Sequence, residues 1–352
     1  MSYYYTMESR PAFQHLLHPA FPFEKASAHL GRTRDLSAVE AFCKEKDLPL
    51  GGDSQRKAFD ALAREEGLSV IWFGQAGYPE GLARIAAPPV ALFVTGRLEE
   101  AFSVAVVGSR RPRPDSAEFA RHLAGELAGR GITVVSGLAR GVDSMAHRGC
   151  LGAGGRTVAV LGSGHAHVYP PEHRGLARDI AQAGAVVSEY PPAMGPRKQN
   201  FPARNRIIAG LCGGVVIVEA AARSGSLITA RLALEENREV FVVPGGVLDE
   251  KYVGSNYMIK DGAKLVQTVE DILEEFPNQT FRARTDSAPK ADLIPEEARL
   301  LDMIPFDAPR TLEELAQTLG MPIPALSVLV TNLELKGLLE RMAGGKLARK
   351  MG

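Results

Sequence analysis

This chain of 352 residues has only three cysteines, one tryptophan and no net charge, its 41 basic residues being balanced by 41 acidic ones. Cys43, Cys150 and Cys212 lie far apart and form no Cys-x-x-Cys pair. That excludes a disulfide framework or a thiolate zinc site and fits reduced thiols in a cytoplasmic protein. The charge balance excludes a diffuse cationic coat, so any nucleic-acid contact has to be a focused patch. Long hydrophobic runs are missing too. The apolar stretch Ile207 to Val218 is twelve residues with three glycines, well short of the roughly 20 apolar residues of a membrane span. The first residues lack a basic segment followed by an apolar core, so no secretory signal is read there.

The usual nucleotide and catalytic signatures are absent as well. No Gly-x-Gly-x-x-Gly follows the first expected strand, and Gly162-Ser163-Gly164 lacks the third glycine, which argues against a dinucleotide cofactor. There is no Gly-x-x-x-x-Gly-Lys-Ser/Thr for a P-loop. His165 and His167 stand close together without companions at metal-ligand spacing. Ser136 and Ser163 lack the Gly-x-Ser-x-Gly of a nucleophile elbow. The expectation is no cofactor, no metal and no catalytic residue. Glu219 reads as a carboxylate that orders a turn, and Tyr169 as packing.

What is present is alternation. Residues 1–75 carry apolar residues at helical spacing, as in Leu36–Cys43 and Ala58–Arg64, broken by Leu48-Pro-Leu-Gly-Gly52. From about Tyr78, β-branched runs at 103–107, 132–136, 157–161, 185–188, 215–218 and 239–243 alternate with helical patterns such as 116–130, 173–183 and 227–237. Strands buried on both faces between helices mean a parallel α/β sheet, with ligands beyond the carboxyl ends of its strands. A polar, Pro-containing stretch at 277–294 reads as a linker. Three short helices and a hairpin then follow within 295–352, with Thr311 and Glu314 as a capping box, Gly320 at a turn and Gly344-Gly345 at the hairpin tip. That order is a winged helix-turn-helix.

Four turns at expected strand ends are rich in small residues: Gly108-Ser109-Arg110, Ser136-Gly137 with Arg140, Gly162-Ser163-Gly164, and Ser224-Gly225-Ser226. Glycine lets an anion approach the backbone, serine donates, and arginine adds a forked cation. Beside them in interest is Arg197 to Gly210, with Arg197, Lys198, Arg204 and Arg206, no carboxylate, one ring in Phe201 and three side-chain amides including Asn205. Cations along a phosphate chain with a ring for a base to stack on suit single-stranded nucleic acid. A solvated basic loop with one buried Phe is the alternative reading of the same stretch.

Val107–Arg110, Ser136–His147, Gly155–Leu161, Ser188–Pro192, Asn200–Gly210, Glu219-Ala220, Ser224–Arg231 and Val243–Gly245, in this order, resemble the DprA/Smf family of DNA-processing proteins. Tyr78–Leu82 and Pro88-Pro89 extend the resemblance, which runs from Tyr78 to Leu273. It implies an extended Rossmann-like sheet over 76–276, flanked by a helical, SAM-like domain at 1–75 and a winged-helix domain at 295–352. It also implies a non-enzymatic, cytoplasmic mediator of natural transformation that binds and protects incoming single-stranded DNA, helps load the RecA recombinase, and forms a homodimer through the Rossmann-like domain. Family contacts to DNA fall on Gly108, Ser109, Arg110, Lys198 and Phe201. Composition adds Gly137, Arg140, Arg204, Asn205, Arg206, Ser224, Gly225 and Ser226. The stretch Val247–Gly254 departs from the family pattern and leaves that loop's geometry open.

The winged segment offers little for a major groove. Its expected recognition helix, 324–336, has a single cation at its far end, and 296–352 contains eight acids against seven bases. Protein contact is favoured over duplex DNA. An enzymatic alternative remains: Pro244-Gly245-Gly246 resembles part of the loop of Rossmann-like nucleotide-processing hydrolases, with Glu219 as the carboxylate, although the following Gly-Thr is missing.

Overall fold

The six β-branched runs form the centre of one sheet, to which three further strands are added. In the computed structural model these are β1 (Ser69–Trp72), β2 (Ala91–Gly96), β3 (Ser103–Val107), β4 (Thr133–Ser136), β5 (Thr157–Val160), β6 (Ala185–Ser188), β7 (Gly214–Ile217), β8 (Glu239–Val242) and β9 (Lys264–Leu265). Their order is β1-β2-β6-β5-β4-β3-β7-β8-β9. From β6 to β9 all pairings are parallel, whereas β2 joins β6, and β1 joins β2, antiparallel. The structure describes residues 11–18, 20–281, 294–304, 310–336, 338–342 and 345–349. Most of the expected linker (282–293) and Gly344 of the hairpin tip lie outside the described residues. The chain divides into two compact units, 1–282 and 283–352.

The parallel strands are buried on both faces, and their period-two alternation sorts side chains into two layers. Ala105, Val107, Val215, Ile217, Val240 and Val242 face one core. Val104, Val106, Val216, Val218 and Phe241 face the other. Helices α1 to α4 (Pro11–Leu17, Phe23–Thr33, Leu36–Glu45, Asp53–Glu65) build a third core with Trp72, Phe93 and Tyr190. The expected boundary near residue 75 therefore meets a sheet that already begins at Ser69.

After the short α5 (Glu80–Ala83), the helices of the sheet are α6 (Pro114–Gly129), α7 (Val142–Gly152), α8 (Arg174–Ala183), α9 (Asn200–Gly210), α10 (Ser226–Glu235), α11 (Val253–Lys260) and α12 (Glu270–Leu273). Ile207 and Ile208 of α9 and Ala230 and Ala233 of α10 cover one face. Leu123 and Leu127 of α6 with Ala146 and Cys150 of α7 cover the other. The chain runs outward from β3 through β4 and β5 to β6, then returns to the opposite side of β3 as β7. Strand order reverses between β3 and β7, the switch point at which open α/β sheets place their ligands. Val107 is in register with Ile217 there, so the two following turns start level.

The second unit is a winged helix. It contains α13 (Pro295–Asp302), α14 (Leu312–Leu319), α15 (Ile323–Leu335) and an antiparallel sheet of β10 (Arg310–Thr311), β12 (Lys346–Arg349) and β11 (Leu339–Arg341), in that order. The capping box forms as the spacing requires. Glu314 N–H donates to Thr311 Oγ1 at 3.3 Å and Thr311 N–H to Glu314 Oε2 at 3.1 Å. Gly320 ends α14 at φ +65°, a left-handed cap that glycine adopts without strain. Lys336, the expected lone cation of α15, is bound to Glu297 at 2.6 Å, while Val328 and Leu335 are exposed on the same helix. Among the described residues, no single helix is long and apolar enough to cross a membrane.

Candidate nucleic-acid interface

A crevice of about 500 Å³ opens at the switch point. Gly108 and Arg110 reach it from the turn after β3, and Ser224, Gly225 and Ser226 from the turn that opens α10. Lys198, Phe201, Arg204 and Asn205 reach it from the basic stretch. These nine expected site residues, dispersed over more than a hundred positions, are brought together. Arg110 and Lys198 are exposed, and among the described residues neither is held in an ion pair. A smaller cavity of about 220 Å³ adjoins the crevice, with Arg110, Phe201 and Arg204 common to both and Gly137 and Arg140 lining the smaller one alone.

From Asn200 onward the basic stretch is a helix, with Arg197 and Lys198 ahead of it, and this decides which cations point where. At about 100° per residue, Phe201, Arg204, Asn205 and Ile208 fall on one face of α9, and all four line the crevice. Arg206 is some 200° from Arg204 and turns the opposite way. Its guanidinium grips Glu189 through two bonds of 2.8 and 2.6 Å and donates to Ser27 of α2 at 3.0 Å. Burial works against its charge, but Glu189 more than compensates and holds its pKa above the ordinary arginine value. Arg206 is thus a joint between the helical segment and the sheet, a correction to its expected place among the nucleic-acid contacts.

Arg204 lines the crevice yet is buried, and its guanidinium is already engaged. Nη1 donates to Gly137 O at 2.9 Å and also to Val160 O, and Nε to Asn205 Oδ1 at 3.1 Å. Burial lowers its pKa to about 10, with the nearby Asp143 charge opposing that fall. Asp143, raised by burial and held down by Arg204, accepts the N–H groups of Gly137 and Ala139 at 3.1 and 3.3 Å. Between those residues Leu138 sits at φ +58°, a left-handed conformation uncommon for a branched side chain. Arg204 and Asp143 clamp that strained turn from both sides. Gly137 is needed for the clamp to close, because a Cβ there would stand 2.1 Å from Arg204 Nη2. Its backbone N–H and C=O are both turned inward, a second correction to the expected contact set.

The first turn is anchored at three points. Val142 N–H donates to Ser109 O at 3.1 Å, Lys251 Nζ to Arg111 O at 3.0 Å, and Arg113 N–H to Glu219 Oε2 at 2.8 Å. Ser109 accepts from Arg111 N–H at 3.2 Å and lines neither cavity. Glu219 orders this turn, as the sequence indicated; it is wholly buried and its Oε1 has no partner. The Val247–Gly254 segment supplies the Lys251 anchor, and Asp249 adds an ion pair to Arg113 at 3.1 Å.

Aromatic faces complete the rim. Arg110 lies over the Phe201 ring at 5.7 Å. Tyr169 is 5.5 Å from Phe201 between centroids and is exposed, so it is not the packing residue its sequence context indicated. Its position after the third small-residue turn was the available signal. His165 points inward and bonds Val186 O at 3.1 Å through Nε2, and burial lowers its pKa to about 4.

A Rossmann-like sheet with a cation-lined switch-point crevice and an appended winged helix defines the structural class. Residues 69–277 match the family model of DNA recombination-mediator protein A, and 284–345 that of the DprA winged helix domain. The chain belongs to this family of recombination mediators. It is 41% identical over 281 residues to protein Smf of Escherichia coli, covering 76% of this chain and 74% of that protein. It is 41% identical over 225 residues to DNA processing protein DprA of Bacillus subtilis, covering 63% and 76%. Among solved structures, DprA of Streptococcus pneumoniae superposes with a TM-score of 0.58 at 36% identity, over 72% of this chain and 96% of that one. DNA processing protein A of Helicobacter pylori, solved for its single-stranded DNA binding mode, gives 0.54 at 30% identity, over 60% and 96%.

Proposed function

We propose that this protein is a non-enzymatic single-stranded DNA-binding mediator, gripping the unpaired strand in the crevice between the ends of β3 and β7. One observation carries the reading: the exposed cations Arg110 and Lys198 converge with the Phe201 ring on one cavity, neither of them in an ion pair among the described residues, although the buried Asp143 of the same lining feels the Arg110 charge. Phosphates meet the cations and the Ser224–Ser226 turn, and a base meets the ring, which gives affinity without sequence preference. The Helicobacter pylori relative, solved for its single-stranded DNA binding mode, supports the same assignment. Arg204 acts in this reading by setting the turn beneath the strand.

The bound strand is protected and handed to the RecA recombinase during natural transformation, as the family's role in recombination implies. A homodimer forms through the far end of the Rossmann-like sheet, where Leu234, Tyr257 and Leu265 of α10, α11 and β9 are exposed. The winged unit, with its recognition helix lacking a free cation and showing Val328 and Leu335, serves protein contact rather than duplex reading.

The test is competition of unlabelled single- and double-stranded DNA for one labelled oligonucleotide, at several salt concentrations. Single strands compete better, and Arg110→Ala and Lys198→Ala each weaken binding about tenfold and flatten its salt dependence by roughly 0.7 per lost phosphate contact. Unchanged affinity in both variants removes the crevice from consideration.

A further inference from the structure

The smaller cavity beside the crevice has features that phosphate binding does not use. Its volume of about 220 Å³ lies below the roughly 300–1,000 Å³ of ordinary ligand pockets. That is room for one planar ring system and not for a whole nucleotide. Its walls include Tyr169, Pro170 and Phe201, with Arg110, Arg111 and Arg140 at the mouth. Tyr169 and Phe201 also line the main crevice, so the two spaces share both rings. The rings are tilted at 56° with their centroids 5.5 Å apart, so they are not stacked face to face.

Arg140 is held at the mouth by a surface ion pair. Its Nε donates to Glu172 Oε1 at 2.5 Å, with 57% and 49% of the two side chains exposed, and Tyr169 is a further hydrogen-bond partner. Exposed pairs of this kind contribute little to stability, so an incoming phosphate displaces the carboxylate readily.

We propose that this cavity is a second nucleotide subsite, in which Tyr169 stacks on a base and Arg140 exchanges Glu172 for the adjoining phosphate. The proposal rests on the crevice being a single-strand groove. It adds to that groove a direction, from the switch point past Phe201 toward Tyr169 and Arg140, and a second stacking position.

The test uses the full chain and fluorescence anisotropy with short labelled oligothymidylates, intact or carrying one abasic site at successive positions. Tyr169→Leu weakens binding about 5- to 100-fold, the range for one stacked base, whereas Tyr169→Phe stays within a few-fold of the native protein. At one position the abasic substitution weakens native binding by the same factor and leaves Tyr169→Leu unaffected. Glu172→Gln, which leaves Arg140 without its competing charge, tightens binding by up to about fivefold. Native affinity in Tyr169→Leu, while Arg110→Ala and Lys198→Ala lose binding, overturns the subsite and leaves the groove standing. Native affinity in all three removes both.

Discussion

Replacing Arg206 by alanine separates charge that binds a strand from charge that holds the fold. Only 11% of the Arg206 side chain and 3% of the Glu189 side chain are exposed, and two short bonds join them. The same guanidinium reaches Ser27 of α2, so the pair ties the helical segment to the sheet. In Arg206→Ala the Glu189 carboxylate stays buried without its cation, and breaking such a pair destabilises by about 3–5 kcal/mol. For a unit of this size each kcal/mol lowers Tm by roughly 2–4 °C, so a fall of about 6–20 °C is expected. The assay pairs differential scanning calorimetry with oligonucleotide anisotropy at a temperature well below both transitions. Affinity is expected to stay within about twofold of native, since α9 keeps Phe201 and Asn205 on the crevice face. Adding Glu189→Leu to Arg206→Ala recovers part of the lost Tm, because the unpaired charge has gone. A folded Arg206→Ala that melts like the native chain yet binds tenfold more weakly refutes the argument and returns Arg206 to the strand.

Three other outcomes follow from the same geometry. Gly137→Ala pushes a methyl into the Arg204 guanidinium and is expected to destabilise by about 1–3 kcal/mol in chemical unfolding, as overpacked sites do; a neutral result would mean the clamp is loose. Glu219→Ala removes the acceptor of Arg113 N–H and weakens oligonucleotide binding through the Arg110 turn, so it adds little on top of Arg110→Ala, whereas fully additive losses would exclude that route. His147 and His165 are buried, and burial drops their pKa values to about 3 and about 4. Below the ordinary value near 6.5 the unfolded chain takes up protons that the folded chain refuses, so stability falls as pH drops, by up to about 1.4 kcal/mol per unit and per histidine. Thermal melts between pH 7.5 and 5 measure this, and a flat profile contradicts the burial.

The sheet was legible because its central strands are continuous β-branched runs, a pattern that buried parallel strands impose and exposed ones do not. Ser69–Trp72 and Ala91–Gly96 were harder to foresee. They join antiparallel at one edge, and Trp72 and Phe93 are buried against helices rather than within the doubly covered centre. The turns at the carboxyl ends announced the site through their small residues. Counting charge along 197–210 could not foresee how Arg204 and Arg206 are engaged, because a linear count ignores helical rotation and cannot see Asp143 and Glu189 arriving from other elements. Tyr169 was missed for the opposite reason: an aromatic beside proline ordinarily packs, and only the fold leaves this one at the rim.

The margin formed by β9 has a consequence of its own. It is two residues long, and Lys264 bonds Glu274 and Glu275 beside it at 3.1 and 2.6 Å. So brief and charged a border gives a foreign backbone no ladder to extend. In the proposed homodimer, molecules meeting there interlock by side chains alone, which would keep their platforms as separate rafts instead of welding them into one continuous pleat, and let each let go of its neighbour without unravelling.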